Sequence, residues 1–239
     1  MQNNNLNVRR NELKYYINSI EYTALYKRLQ HVLRPDKYSI PGKGYFIRSL
    51  YFDSYNDTCL YQKQSGVQFR QKYRMRIYDL NANSVKFEIK NKANNQVHKE
   101  SATISRDSAD KIIAGEYDEL LKYNNPLLNR VFITFSTQMY RPKVIIDYDR
   151  DAFMYDHFNL RITIDKHLRA NNTNFDLFSK AIHCIPAILE QKQILEVKYT
   201  DMLPGHIKKL LQLDSQERLA ISKYTLGRRH LKTRNWEDN

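Results

Sequence analysis

The chain has 239 residues, with 39 Lys and Arg against 26 Asp and Glu, a formal net charge of +13 at pH 7. That length suits one domain with a sizeable core, and only 6 Gly and 6 Pro speak against a loop-rich disulfide scaffold. No apolar run approaches the ~20 residues needed to cross a bilayer, residues 1–8 lack the apolar segment of a signal peptide, and Cys59 and Cys184 have no metal-ligand or CxxC spacing. A cytoplasmic protein with ordinary thiols is expected.

Arg10, Glu12 and Lys14 alternate with Leu13, Tyr15 and Ile17, the period of a strand with two different faces. Residues 21–33 place Tyr22, Leu25, Tyr26, Leu29, Val32 and Leu33 at helical spacing. Pro41-Gly-Lys-Gly44 lacks the spacing and the GK[ST] ending of a phosphate-binding Walker loop and is read as a turn. Residues 68–78 form the clearest strand, with Arg70, Lys72, Arg74, Arg76 and Tyr78 on one face and Phe69, Tyr73, Met75 and Ile77 on the other. Residues 85–92 repeat the scheme, setting Lys86, Glu88, Lys90 and Lys92 against Val85, Phe87 and Ile89.

A helix over 106–113 with Ser105 as N-cap continues towards Leu121, and a second over 125–139 has Pro126 in its first turn. Asp147, Asp149 and Asp151 oppose Tyr148 and Arg150 in parity, so they are expected outside or on loops rather than around a metal. Arg161, Thr163 and Asp165 alternate with Leu160, Ile162 and Ile164, then Glu196 and Lys198 with Leu195, Val197 and Tyr199. Residues 204–213 complete the helices, and the polar tail 231–239 receives no role. The sum is a β-rich α+β chain in one domain spanning 1–239, with its core at about 8–230.

A sheet face meeting water usually mixes neutral and charged side chains. Here cations dominate it in successive strands, and like charges directly opposite one another are destabilising. An anion would neutralise them. Closing the sheet into a barrel would put this face inside, where a lower effective dielectric strengthens each contact, with the amphipathic helices covering the apolar outside.

These segments resemble the vacuolar transporter chaperone (VTC) domain of polyphosphate polymerases, within the CYTH-like triphosphate tunnel metalloenzymes. The motifs are Arg10-Asn-Glu12-Leu-Lys14-Tyr15, Ser49-Leu-Tyr51-Phe52-Asp53, Arg74-Met-Arg76-Ile-Tyr78, Phe87-Glu88-Ile-Lys90 with Lys99, Tyr148-Asp-Arg150, Arg161-Ile-Thr-Ile-Asp165, Leu195-Glu196-Val-Lys198-Tyr199 and Ser222-Lys223-Tyr224. Relatives that hydrolyse triphosphates open on two glutamates where this chain has Arg10 and Glu12, which tilts the resemblance towards the polymerases. The eukaryotic members sit in membrane complexes with extra domains, whereas this sequence carries the central domain alone.

The resemblance implies a closed eight-stranded antiparallel barrel, a triphosphate tunnel with helices packed outside. It implies transfer of the terminal phosphoryl group of ATP to inorganic polyphosphate. Phosphoryl transfer depends mainly on positioning and charge stabilisation. Arg74, Arg76, Arg150 and Arg161 are then the phosphate forks, and Lys14, Lys90, Lys99 and Lys223 the point charges. Tyr148 and Ser222 donate hydrogen bonds, and Glu196 holds Mn²⁺ or Mg²⁺. Glu12 and Glu88 are read as salt-bridge partners; Arg70, Lys72, Lys86 and Lys92 are read as the mouth of a basic tunnel. ATP and polyphosphate are the expected ligands, with no nucleic acid, because the aromatics mostly oppose the charged parity. A membrane partner protein and the oligomeric state stay open. A triphosphatase on the same fold, or a non-catalytic polyphosphate- or RNA-binding module, are the competing functions.

Overall fold

The computed structural model describes residues 10–40, 42–93, 96–188, 190, 192–212 and 219–232. Pro41 of the expected turn, residues 1–8 and the tail from 233 onward lie outside them. In chain order the elements are β1 (Arg10–Ile17), α1 (Ser19–Val32), β2 (Arg34–Pro35), β3 (Tyr45–Asp53), α2 (Thr58–Gln64), β4 (Phe69–Ile77), β5 (Ser84–Ala93) and β6 (Gln96–Ser105). There follow α3 (Arg106–Ala114), a 3-10 segment (Tyr117–Tyr123), α4 (Pro126–Thr137), β7 (Arg141–Tyr155), β8 (Leu160–Asn171), β9 (Ile185–Pro186), β10 (Gln193–Thr200), α5 (Gly205–Leu211) and α6 (Lys223–Lys232).

The strands hydrogen-bond in the order β1-β10-β8-β7-β3-β4-β5-β6, with β2 added on β7 and β9 on β8. The described ladders are antiparallel. This is the expected α+β chain built on one large antiparallel sheet. The path ends at β1 and at β6, and no ladder joins those strands among the described residues. Hydrogen-bonded closure into a barrel is therefore not part of the observed sheet.

The chain packs as two compact units, one from Met1–Tyr45, Arg150–Lys166 and Glu190–Ile221, the other from Phe46–Asp149, His167–Leu189 and Ser222–Asn239. In the first unit the apolar face of β1, β8 and β10, including Ile17, Ile162, Ile164, Leu195 and Val197, packs under Leu25 and Leu29 of α1 and Ile207 and Leu211 of α5. Helix α1 starts at Ser19, two residues before the predicted segment 21–33. Asn18 Oδ1 accepts from Ile20 N and Glu21 N at 2.9 Å each while Glu21 returns a bond to Asn18 N, a full capping box.

In the second unit Phe135 of α4 is fully buried against Phe52, Tyr73 and Phe87 of the sheet, and stacks on Tyr140 with ring centroids 4.8 Å apart. Ser105 caps α3 by accepting from Ser108 N, and Pro126 occupies the first turn of α4, both as the sequence predicts. Two helices exceed the sequence reading. Helix α2 is short; its Thr58 N donates to Ser54 Oγ at 3.1 Å, and the next two N–H groups turn to the Asp53 carboxylate, Cys59 N at 2.8 Å and Leu60 N at 3.0 Å. Helix α6 begins at Lys223, so Ser222-Lys223-Tyr224 opens a helix.

Candidate functional site

In the second unit the charged faces of β3 to β6 line up in rows. Ser49 faces Arg76, which faces Lys86; Tyr51 faces Arg74, which faces Glu88. The next row is Lys72, Lys90 and Lys99, and the last sets Arg70 against Lys92. Glu88 is the hub. Its Oε2 accepts from Arg74 Nε and Nη2, both at 2.7 Å, its Oε1 meets Lys99 Nζ at 2.8 Å, and Arg76 Nη1 stands 3.7 Å away. Burial by itself would raise the Glu88 carboxyl, yet Arg74, Arg76 and Lys99 together hold it down to about 2.

The two arginines are braced from behind. Arg74 Nη1 donates to Tyr51 Oη at 3.1 Å, and Arg76 donates through Nε to Ser49 Oγ at 3.2 Å and through Nη2 to Tyr148 Oη at 3.1 Å. Burial pushes the Tyr51 phenol up, but Arg74 and Arg76 outweigh it and bring the phenol below its usual value. Lys223 Nζ lies 4.9 Å from the Tyr148 ring centroid, and Lys72 Nζ donates to Ser222 Oγ at 2.8 Å. Of the sequence-predicted residues, Arg74, Arg76, Lys99, Tyr148 and Lys223 thus gather around one carboxylate and one phenol. Lys90 and Ser222 occupy the adjoining row.

In the first unit Lys14 faces Glu196, which faces Thr163, and Glu12 faces Lys198, which faces Arg161. Glu196 is buried, with Oε1 at 2.8 Å from Lys198 Nζ and Oε2 at 3.8 Å from Arg150 Nη2. Arg150 forks onto Asp165, Nε to Oδ1 at 2.6 Å and Nη2 to Oδ2 at 2.8 Å. Glu12 Oε1 sits 3.5 Å from Lys14 Nζ and 3.7 Å from Lys198 Nζ. Burial disfavours the Lys14 ammonium, but Glu196 and Glu12 more than offset it, so its pKa lies above the ordinary lysine value. Arg161 is held differently: its Nη2 donates to Asp36 Oδ2 at 2.8 Å and to Tyr45 Oη at 3.0 Å, while its Nε has no hydrogen-bond partner. Lys14, Arg150 and Glu196 therefore come together, and Arg161 stands beside them across β10.

Among the described residues no three His, Cys, Asp or Glu side chains converge as a metal cage. Glu196 and Glu12 nonetheless both reach Lys198 Nζ, at 2.8 and 3.7 Å, which sets two hard oxygen donors around one point. In this structure the Lys198 ammonium takes that point, so a divalent ion such as Mg²⁺ or Mn²⁺ held by these carboxylates would have to displace it, with phosphate oxygens and water filling the rest of its shell.

One expectation is corrected. Asp147 and Asp151 are buried rather than exterior. Asp147 accepts the Arg48 guanidinium fork, 2.8 Å from both Nε and Nη2, and Asp151 Oδ2 takes Lys166 Nζ at 2.8 Å and Tyr22 Oη at 3.0 Å. Parity placed them opposite Tyr148 and Arg150 correctly. It did not reveal that this face is also covered, so each carboxylate needs an internal counter-charge. Asp149, half-buried against His167 Nδ1 at 3.0 Å, stays near the surface as expected.

Sequence reasoning assigned no role to Tyr51, Ser49 or Asp165, which position the arginines. The signal was present: Ser49 and Tyr51 share a parity within β3, and Asp165 continues the run Arg161-Thr163. The near-continuous burial of β3 hides that alternation.

A family model described as the VTC domain matches residues 9–232 of the chain. Comparison with curated proteins finds no match. Among solved structures, the putative adenylyl cyclase HpAC1 from Hippeastrum, described as having a dominant triphosphatase activity, superposes with a TM-score of 0.55 at 13% identity, covering 92% of this chain and 95% of that one. A putative adenylate cyclase from Bacillus halodurans gives 0.50 at 13% identity, covering 89% and 95%. At such identity the likeness is one of fold alone. With the family model spanning both compact units, the chain belongs to the VTC domain family.

Proposed function

We propose that this chain is a polyphosphate polymerase. A terminal phosphate oxygen of a growing polyphosphate attacks the γ-phosphorus of ATP, the bond from that phosphorus to the β,γ-bridging oxygen breaks, and ADP leaves. The observation that carries this reading is the Glu88-centred cluster, in which Arg74 and Arg76 are braced by Tyr51, Ser49 and Tyr148 with Lys99 and Lys223 beside them. Preset cations of this kind stabilise charge spread over the equatorial oxygens of a transferring phosphoryl group.

In this reading Arg74, Arg76, Arg150 and Arg161 hold phosphates by their forks, and Lys14, Lys90, Lys99 and Lys223 place single charges. Tyr148 and Ser222 donate hydrogen bonds. Glu196, with Glu12 beside it, would hold Mg²⁺ or Mn²⁺, which when bound neutralises and orients phosphate oxygens. The closed eight-stranded barrel, the treatment of 1–239 as one VTC-type domain and a cytoplasmic setting belong to the same proposal, supported by the family match across both units. No helix among the described residues is long and apolar enough to cross a membrane.

A triphosphatase is the second reading, favoured by the activity described for the Hippeastrum protein. Incubation with ATP and Mn²⁺, with products run on a gel that resolves polyphosphate, separates the two. A ladder absent from Arg74→Ala and Glu196→Ala variants supports the polymerase; orthophosphate without polymer moves the chain to the hydrolases.

A further inference from the structure

Asp57 is the N-cap of α2, in left-handed backbone at φ +54°, yet its carboxylate makes no capping bond to that helix. The N–H groups that an N-cap oxygen ordinarily takes are those of the second and third helical residues. Here they go to the Asp53 carboxylate, from Cys59 at 2.8 Å and Leu60 at 3.0 Å. The Asp57 carboxylate turns to α6 instead. Arg228 donates to it through Nη1 at 3.0 Å and Nη2 at 2.6 Å, and Lys143 Nζ lies 2.9 Å away. Burial would raise the Asp57 carboxyl, but Arg228 and Lys143 hold it below its usual value.

The same guanidinium reaches the other aspartate through a phenol. Arg228 Nη1 donates to Tyr224 Oη at 3.1 Å, and the fully buried Tyr224 donates to Asp53 Oδ2. Tyr224 and Arg228 stand four residues apart, on one face of α6. Beside them Lys223 opens the helix, with its Nζ 4.9 Å from the ring centroid of Tyr148, whose hydroxyl accepts from Arg76. The Tyr224 ring lies 5.4 Å from that of Tyr51, which braces Arg74.

Lys223 needs such a seat. Arg74, Arg76 and Lys99 lie on strands whose ladders fix where their side chains start. Lys223 starts from a helix end, and its ammonium rides on a flexible four-carbon stem. A charge on such a stem loses binding energy to its own ordering unless its base is already placed.

We propose that Asp53, Asp57, Tyr224 and Arg228 are positioning residues that seat α6 so that Lys223 meets phosphate oxygens beside Tyr148 and Arg76. The inference rests on the reading of Lys223 as a phosphate ligand and deepens it by naming what sets its position. The four residues act through Lys223.

Tripolyphosphate binding to the full chain, measured by calorimetry without turnover, tests this in a double-mutant cycle. Lys223→Ala should weaken binding by about tenfold, the loss of one charge–phosphate contact. Arg228→Ala leaves Asp57 paired with Lys143. It should cost about fivefold in the wild-type chain and less than about twofold in the Lys223→Ala chain, because residues that act through one group do not add. A role in overall charge or in folding would carry the same loss into both backgrounds. Tyr224→Phe removes only the hydroxyl between Arg228 and Asp53, and should show the same coupling if Arg228→Ala disturbs folding. Equal losses in the two backgrounds, or no loss in either, overturn the inference. A Lys223→Ala chain that binds like wild type rejects Lys223 as a phosphate ligand, and the inference falls with it. A chain that releases orthophosphate rather than polymer yet shows the coupling rejects the polymerase and keeps the seat of α6.

Discussion

Arg74 on β4 and Glu88 on β5 stand directly opposite each other, and the guanidinium places both Nε and Nη2 at 2.7 Å from a single carboxylate oxygen, Oε2. The other oxygen, Oε1, is taken by Lys99 at 2.8 Å. One buried carboxylate thus fixes the directions of cations from two neighbouring strands. It sets the cluster's geometry without cancelling its positive charge.

The depressed Glu88 carboxyl makes stability depend on acid. Its usual value is 4.5 and the folded value is about 2, a difference of about 3 kcal/mol. A lowered carboxylate stabilises fully above its unfolded value and loses that contribution as pH falls through the folded one. Urea unfolding should therefore show wild type ahead of Glu88→Gln by about 3 kcal/mol at pH 7, with the gap closing between about pH 4.5 and 2. A gap that stays constant over that range would rule out Glu88 as the titrating group.

Arg74→Lys and Arg76→Lys keep the charge and lose the fork. Neither ammonium can hold a strand neighbour and a phosphate in the planar geometry a guanidinium offers. Phosphoryl transfer should fall by about a hundredfold in each, close to the loss for removing one preset donor. The same variants should retain their circular dichroism. Rates within a few-fold of wild type would place the transfer site elsewhere.

Glu196 is buried between Lys198 and Arg150. Glu196→Gln should raise the Mn²⁺ concentration needed for half-maximal activity by at least about tenfold and lower the ceiling reached at saturation, because a neutral amide is a poor ligand for a hard cation. Isothermal titration with Mn²⁺ and a non-hydrolysable triphosphate reads the same loss without turnover. Unchanged metal affinity would assign Glu196 to its lysine and arginine alone.

Gly227 lies inside α6, where glycine ordinarily costs about 1 kcal/mol relative to alanine. The reason is steric: a Cβ there would come within 2.2 Å of Ile146 Cδ1 and 3.2 Å of Val144 Cγ2, both fully buried on β7. Gly227→Ala should therefore destabilise by about 1–2 kcal/mol despite the gain in helix propensity. Thermal unfolding checks the sign, and a more stable variant would mean that Ile146 repacks freely.

Much of this was legible because strand parity survives in sequence. Arg74, Arg76 and Glu88, or Lys14 and Glu196, fall on one face through a period of two, which needs no knowledge of what the strand packs against. The caps at Ser105 and Pro126 were equally local, since they satisfy backbone groups within their own first turn. The short helix α2 was not legible: the Cys59 and Leu60 N–H groups of its first turn are satisfied by Asp53, from the strand before it.

By itself, then, the sequence determined the alternation of charged and apolar faces, the helices that cover the apolar one, and the family. Those features follow from local periodicity and from motifs in order. Only the tertiary structure decided which charges meet. Register set Arg74 rather than Arg76 square against Glu88, and packing turned Arg161 to Asp36 and covered the face that carries Asp147 and Asp151. Hydrogen-bond register and burial depend on strands far apart in the chain, and no window of sequence contains them.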